Sequence, residues 1–398
     1  MNVKKIASFA LAASIAVSPV SLVDASPNDQ VVNLKKESEQ NTEKGDFVKG
    51  EVIVKFNDNA TNKTAEQLNV SGEIKEDTDE VDSNFLVLEV GNVEEVVKAL
   101  NKNPDVEYAE PNYKFQSTFT PNDSLYQGYQ YGPQSTYTDE AWNVTKGASS
   151  QEIAVIDSGV DYNHPDLDDK TIKGYDFVDN DYDPMDEKNH GTHVAGTAAA
   201  ETDNATGIAG MAPNTSILAV RALNAQGSGT LADIADAIVY AADQGAEVIN
   251  LSLGCNCDTT TLENAVNYAW DKGSVVVAAA GNDGVSTTFE PASYNNVIAV
   301  GAIDQNDQKA SFSNYGTWVD VVAPGVSIAA TVPGNGYAYM SGTSMAAPHV
   351  SGLAGILASQ GRSNTEIRQA IEETTDSLSG TGVYSKYGKI DSLEAVNY

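Results

Sequence analysis

The chain has 398 residues, enough for two or three domains and a large buried core. Hydrophobic residues make up 41% and charged residues 20%, a globular balance that excludes a wholly disordered chain. The formal net charge of -33 repels nucleic acid and anionic membrane surfaces, so neither is an expected partner, and it suits a soluble protein that recruits cations.

Lys4 and Lys5 precede an apolar run over residues 6–17 that is too short to span a bilayer. Val23, Asp24 and Ala25 then offer a small-residue cleavage site before Ser26. Residues 1–25 therefore predict a signal peptide, and the mature chain is expected to be secreted into an oxidising, extracellular setting. Residues 26–45 are polar and charged and read as a flexible leader.

From Asp46 to about Ser117 the pattern is that of a small α+β unit. Residues 50–56 and 84–90 alternate like half-buried strands, residues 93–100 fit a short amphipathic helix, and residues 106–109 a further strand. The unit is small and cysteine-free, so alone it is expected to be marginally stable.

Residues 119–398 alternate apolar strands with helical patterns, which predicts an α/β fold with a mainly parallel sheet covered on both faces. Strands are expected at 152–156, 216–220, 248–252, 274–279 and 297–300, with helices at 230–244 and 261–272. The chemically interesting residues follow strand ends or open helices, the edge where open α/β sheets bind ligands.

Asp157 ends a continuous apolar strand and is followed by Ser158 and Gly159. Alone, such an aspartate would be read as a turn or helix cap. His190-Gly191-Thr192-His193 opens a helix of small residues. Two histidines three apart could hold a metal, but the His-Glu-x-x-His pattern of zinc proteases is absent. His190, at the helix start beside a glycine, is free to reach a partner, whereas His193 lies one turn inside and reads as structural. Ser344 stands in a glycine-flanked turn that opens another helix, running to about Ser359, where backbone N–H groups favour a developing oxyanion. His349 in that helix reads as a packing residue. Gly281-Asn282 follows one more buried strand and presents an amide at the same edge. Each element is weak alone; the order Asp, His, Asn, Ser at strand ends and helix starts is specific.

Ile156-Asp157-Ser158-Gly159, His190-Gly191-Thr192-His193-Val194-Ala195-Gly196 and Gly342-Thr343-Ser344-Met345-Ala346-Ala347-Pro348 match the three active-site signatures of the subtilases, so the chain resembles that family and, more narrowly, its thermitase-like bacterial members. The resemblance implies a subtilisin-like three-layer α/β/α fold with a mainly parallel central sheet, preceded by a small α+β propeptide domain. It implies Ser344 as nucleophile, His190 as general base and then acid, and Asp157 as the group that fixes the imidazole tautomer and stabilises its cation. Asn282 and the Ser344 N–H would form the oxyanion hole. Gly227-Ser228-Gly229 and Ser252-Leu253-Gly254, with Gly281, resemble the edges that pair with an extended substrate strand. Protein and peptide substrates of broad sequence, with apolar side chains preferred, follow from main-chain recognition. Residues 26–118, chiefly 46–115, resemble an inhibitory propeptide that assists folding and then occupies the cleft, leaving residues 119–398 as the catalytic domain. Cleavage after Thr118 would set Phe115 four residues upstream. A monomer is expected.

The run from Asp176 to Met185 crowds carboxylates that would repel one another without a cation, yet it is no EF-hand, since Pro184 stands at the obligatory glycine. By the resemblance it binds Ca2+ through Asp176, Asp179 and Asp181, with Asp183 and the Met185 carbonyl beside them. A second Ca2+ site is carried over to Asp123, Asp166 and the loop 201–208, with Asn204 and carbonyls of Glu201, Thr206 and Ile208. A third, weak cation site is carried over to Ala292, Tyr294 and Asp320. Cys255-Asn256-Cys257 departs from the family. Zinc would need further soft ligands, so a small-ring disulfide that stiffens the pocket wall is expected. Two rival classes fit less well: a non-catalytic calcium-dependent binding protein, because the triad positions are intact, and an esterase, because the Gly-x-Ser-x-Gly elbow is missing.

Overall fold

The computed structural model describes residues 18–19, 47–57, 72–74, 85–114 and 119–398. The expected signal peptide (apart from residues 18–19), the leader and the expected cleavage point after Thr118 lie outside the described residues. The chain separates into two compact units, Ala25–Ser117 and a larger one that includes Thr118–Tyr398.

In the first unit, β1 (Phe47–Phe56), β2 (Gly72–Ile74), β3 (Leu86–Val90) and β4 (Val106–Tyr113) form an antiparallel sheet in the order β2-β3-β1-β4. Alternation sends Val52, Val54, Leu88 and Val90 to one face, where Val93 and Leu100 of α1 (Val93–Leu100) cover them. Asn92 caps α1 by accepting the Glu95 N–H at 3.2 Å. The Asn101 carboxamide bonds both the N–H and the C=O of Ala109, at 2.8 and 2.7 Å, which ties the helix end to β4.

The second unit is built on β5 (Glu152–Asp157), β6 (Thr171–Asp176), β7 (Ser216–Arg221), β8 (Val248–Leu251), β9 (Val275–Ala279), β10 (Val297–Ile303) and β11 (Val321–Pro324). They make a parallel seven-stranded sheet in the order β11-β10-β9-β8-β5-β7-β6. Strands buried on both faces read as continuous apolar runs, which is why β5, β7, β8, β9 and β10 were legible. On β5, Ile153 and Val155 enter a core shared with α2 (His190–Ala199) and residues of the long helix 343–358, while Ala154 and Ile156 enter a core lined by α3 (Leu231–Gln244) and α4 (Thr260–Asp271). Full burial of each larger side chain stabilises by about 1.5–3 kcal/mol. The sheet is therefore sandwiched between helix layers, as expected.

Several elements were not foreseen, among them five in the second unit. The sheet-edge strand β6 is half exposed and reads too polar for a buried strand, and β11 has only four residues. An antiparallel hairpin joins β12 (Ile328–Val332) to β13 (Gly336–Met340) through Gly334 and Asn335, both at positive φ. After α5 (Thr343–Ala358), helix α6 (Asn364–Glu373) opens on a capping box between Ser363 and Glu366. The chain leaves β7 and crosses behind β5 to enter the sheet on its other side at β8. That reversal opens a crevice at the carboxyl ends of β5 and β8.

Candidate active site

Asp157 is the last residue of β5 and is fully buried. Its Oδ1 accepts the His190 Nδ1–H at 2.7 Å and the Ser158 N–H at 2.7 Å. His190 is the first residue of α2, brought to the strand end because Gly191 has no side chain: a Cβ there would lie 2.1 Å from the Gly159 carbonyl. Burial opposes charge on the imidazole most strongly, yet the Asp157 charge and hydrogen bond, with Asp186 behind them, outweigh it and raise the His190 pKa. His193 is buried instead, its Nε2 set against the carbonyls of Ile328 and Ala338 at 2.9 and 3.2 Å, and burial pushes its pKa down to about 4. His349 donates Nδ1–H to Met345 O at 2.8 Å and is likewise pushed down to about 4 by burial. Of the helical histidines, only His190 pairs with a carboxylate.

Ser344 sits in the first turn of α5, behind a Gly342 N-cap that makes no side-chain bond. Its N–H has no intrahelical partner at that position. Its Oγ donates to Ser252 O at 3.2 Å, and Ser252 Oγ donates to Ser344 O at 2.8 Å, so the end of β8 and the start of α5 are cross-tied. Asn282 is exposed. Its Oδ1 accepts the Thr343 N–H at 2.8 Å and the Thr343 hydroxyl at 3.1 Å, which fixes the amide so that its NH2 is turned away from these donors.

Around this centre, Leu253 and Gly254 follow β8, and backbone pairing with another segment resumes at Cys255, which exchanges bonds with Glu290 at 2.8 and 2.9 Å. Cys255 and Cys257 bring their sulfur atoms together, with Cα atoms 5.2 Å apart. Gly227 and Ser228 belong to a tight turn closed on Asn224, while Gly229 packs where a Cβ would lie 2.3 Å from Ala222 O. Gly281 donates its N–H to Thr343 Oγ1 at 3.1 Å.

Sequence reasoning passed over Asp186, which lies four residues before the helix start and so outside the N-cap position where a capping aspartate is sought. It is buried and accepts five hydrogen bonds: from Ser158 Oγ, Lys188 N–H and Asn189 N–H at Oδ1, and from the Thr192 N–H and hydroxyl at Oδ2. Ser158 Oγ in turn accepts the Gly191 N–H at 3.0 Å, so one carboxylate organises the approach of α2 to β5.

Among the described residues, no three His, Cys, Asp or Glu side chains converge so as to hold a metal ion by themselves. The Asp123 and Asp166 group nevertheless suits a cation. Asp123 has a buried Oδ1 with no partner, while its Oδ2 accepts the Asp203 N–H at 2.8 Å. Asp166 accepts from Asn204 Nδ2, the Ile208 N–H and Tyr337 at 3.0, 3.0 and 2.9 Å, and Gly207 leaves room that a Cβ would fill at 2.1 Å from Asp166 Oδ2. Burial raises both carboxyls above their ordinary range, and Asp166 raises Asp123 further. Glu201 bonds the Asp166 carbonyl through its N–H at 2.8 Å, and the Thr206 N–H donates to Asn204 Oδ1 at 2.8 Å.

The acidic loop after β6 brings its carboxylates against cationic side chains. Arg221, the last residue of β7, donates Nη1 to Asp176 and Asp179 at 2.8 Å each and Nη2 to Glu187 at 2.7 Å. Asp181 Oδ1 accepts the Asp183 N–H at 2.9 Å, Asp183 bonds Tyr162 and lies 3.9 Å from Lys173, and Met185 donates its N–H to Asp183 O. Cationic side chains thus offset part of the loop's negative charge. At the third set, Ala292 and Tyr294 are buried, the Tyr294 carbonyl accepts the Val297 N–H at 3.1 Å, and Asp320 accepts the Ala299 N–H at 2.9 Å and pairs with Arg368 at 3.4 Å. Burial pushes Asp320 up to about 6.

An Asp–His pair, a helix-terminal serine and an exposed amide thus lie along one carboxyl edge of the α/β sheet, the layout of a serine hydrolase. Residues 148–389 match the subtilase family, peptidase S8, and residues 33–112 match the fervidolysin N-terminal prodomain. The chain is 71% identical over 402 aligned positions to a thermophilic serine proteinase of Bacillus sp. (strain AK1), covering 100% of both chains. It is 56% identical over 280 positions to thermitase of Thermoactinomyces vulgaris, covering 70% of this chain and 100% of thermitase. It is 43% identical over 260 positions to subtilisin Savinase of Lederbergia lenta, covering 65% and 95%. The chain belongs to the subtilase family. It is a subtilisin-like serine protease with an N-terminal prodomain.

Proposed function

We propose that this protein is a secreted, calcium-stabilised serine endopeptidase of broad specificity, made as a precursor that processes itself. The observation that carries the reading is the 2.7 Å bond from His190 Nδ1 to the buried Asp157. Fixing the hydrogen on Nδ1 leaves Nε2 as the lone-pair nitrogen, the tautomer a general base requires. Ser344 Oγ is the nucleophile. It gives its proton to His190 as it adds to the scissile carbonyl, and the imidazolium then protonates the leaving amine. Water repeats the cycle on the acyl-enzyme. Asn282 Nδ2 and the Ser344 N–H stabilise the oxyanion, and Asp157 stabilises the imidazolium.

Leu253, Gly254 and the 227–229 turn supply main chain for an extended substrate, which suits broad sequence acceptance. The Cys255–Cys257 pair stiffens the wall beside Gly254. Residues 26–118, with the prodomain as intramolecular inhibitor, precede a monomeric catalytic domain at residues 119–398, and residues 1–25 direct export. Calcium held by Asp123, Asp166, Asn204 and the carbonyls of the 201–208 loop would stabilise the native state by mass action, since it binds that state and not the unfolded chain.

Fluorophosphonate labelling of wild type beside Ser344→Ala tests the reading. Labelled wild type, unlabelled Ser344→Ala and accumulation of unprocessed Ser344→Ala precursor are expected. A folded wild type that takes no label sinks the serine-hydrolase mechanism, and normal processing of Ser344→Ala in a protease-deficient host sinks self-maturation.

A further inference from the structure

Asn314, on the connection from β10 to β11, is almost fully buried at 2% exposure. Its carboxamide makes three bonds: Nδ2 donates to Ala280 O at 2.9 Å, and Oδ1 accepts the N–H groups of Asp283 and Val285 at 3.0 and 3.2 Å. Its own N–H donates to Gly281 O at 3.0 Å. All of these end on the main chain of residues 280–285, on both sides of Asn282. Gly281 has φ +98°, and a Cβ there would lie 2.4 Å from Asn314 Nδ2, so the close approach of the carboxamide depends on glycine at that position. Neighbouring bonds from Gly284 N–H to Phe312 O at 2.7 Å and from Tyr315 N–H to Val285 O at 3.0 Å extend the clamp.

Two independent restraints therefore bear on Asn282. Thr343 sets the rotation of its carboxamide, and Asn314 sets the path of the main chain that carries it. The chemistry of the position selects an amide. Ala280 O needs a donor while two N–H groups need an acceptor, and a carboxylate or a hydroxyl cannot meet all three as placed.

We infer that Asn314 is the positioning residue for the oxyanion donor Asn282, acting through the main chain of residues 280–285. The inference rests on the reading of Asn282 given under Proposed function. An oxyanion exists only in the transition state and the tetrahedral intermediate, so a donor displaced from it lowers kcat and leaves substrate affinity largely intact.

The test uses Asn314→Ala and the near-isosteric Asn314→Asp in the processed enzyme, with active sites counted by fluorophosphonate titration and folding checked by thermal melting. Expected is a fall in kcat of about 10-fold with KM within about twofold of wild type. In an Asn282→Ala background the same change should lower kcat by less than about twofold, because its target is gone. Wild-type kcat in Asn314→Asp, or an equal loss in both backgrounds, overturns the inference and leaves Asn314 a packing residue. Wild-type kcat in Asn282→Ala alone overturns the oxyanion reading beneath it, an outcome distinct from both.

Discussion

Replacing Asp186 by asparagine probes how the start of α2 is held and how the proton-accepting histidine is tuned. In the wild type Oδ1 receives three donors and Oδ2 receives two, both from Thr192. Asparagine does least damage with its NH2 turned to Thr192. The Thr192 hydroxyl can then rotate to accept, but the Thr192 N–H is left buried and unsatisfied, at about 1–3 kcal/mol. Loss of negative charge at a helix N-terminus adds about 0.3–1 kcal/mol. A stability loss of roughly 2 kcal/mol follows from these terms, or a fall in Tm of about 4–8 °C at about 2–4 °C per kcal/mol. The charge also acts on His190. Burial lowers its pKa, Asp157 and then Asp186 raise it, Lys188 lowers it, and the net shift is upward. A raised folded-state pKa stabilises the fold below the unfolded pKa, and that gain is lost as pH rises through the folded value. Removing Asp186's charge lowers the folded pKa, so His190 stays neutral further into acid. The acid limb of kcat/KM should therefore move to lower pH in Asp186→Asn, measured on a chromogenic peptide beside thermal melts. An acid limb that stays put, or moves to higher pH, refutes the electrostatic argument, and an unchanged Tm refutes the capping argument.

Asn282→Ala should lower kcat by about 10²–10³ with little change in KM; that magnitude is the one known for subtilisin, itself a member of this family, and is carried across from it. Steady-state kinetics per titrated active site checks it, and a loss confined to KM would contradict it. Chelation should lower Tm in a way that added calcium reverses, with up to about 2.7 kcal/mol at stake where free calcium is 100 times its Kd. Most of that dependence should vanish in Asp123→Ala, and a Tm indifferent to chelator in the wild type would remove calcium from the account.

Five of the seven strands of the central sheet were legible because burial on both faces leaves an unbroken apolar run, as at residues 152–156 and 275–279. His190 and His193 could be told apart in the sequence, since a helix start beside glycine differs from a position one turn inside, and in the structure only His190 of the two meets a carboxylate. What sequence could not supply was side-chain partnership across distant segments. Arg221 meets Asp176 and Asp179 from another strand, and Asn314 meets the 280–285 turn from beyond β10. Such pairings depend on which strands become neighbours, and local periodicity carries no record of that. Strand β6 was missed for a related reason, because an edge strand keeps one side wet and loses the apolar signature.

Arg221 changes what the acidic loop asks of a metal. Asp176 is buried and accepts the Val178 and Asp179 N–H groups at 2.7 and 3.1 Å besides the guanidinium, while Asp179 and Glu187 are largely exposed. Removing one partner of a fully buried pair is destabilising by about 3–5 kcal/mol. The two N–H bonds that remain on Asp176 point to the lower end, about 3 kcal/mol, for Arg221→Gln, with Asp179 and Glu187 adding little because water screens them. The variant would also strip the loop of its built-in counterion, leaving Asp176, Asp179 and Asp181 with the mutual repulsion first inferred from their spacing. Its Tm should then rise more steeply with added calcium than the wild-type Tm does, because the loop has become a better place for a divalent cation. Equal calcium dependence in the two proteins would mean that the guanidinium and the metal do not share these carboxylates. A lower dependence in Arg221→Gln would mean that Arg221 helps to build the cation site, by holding Asp176 and Asp179 in the geometry that a metal uses.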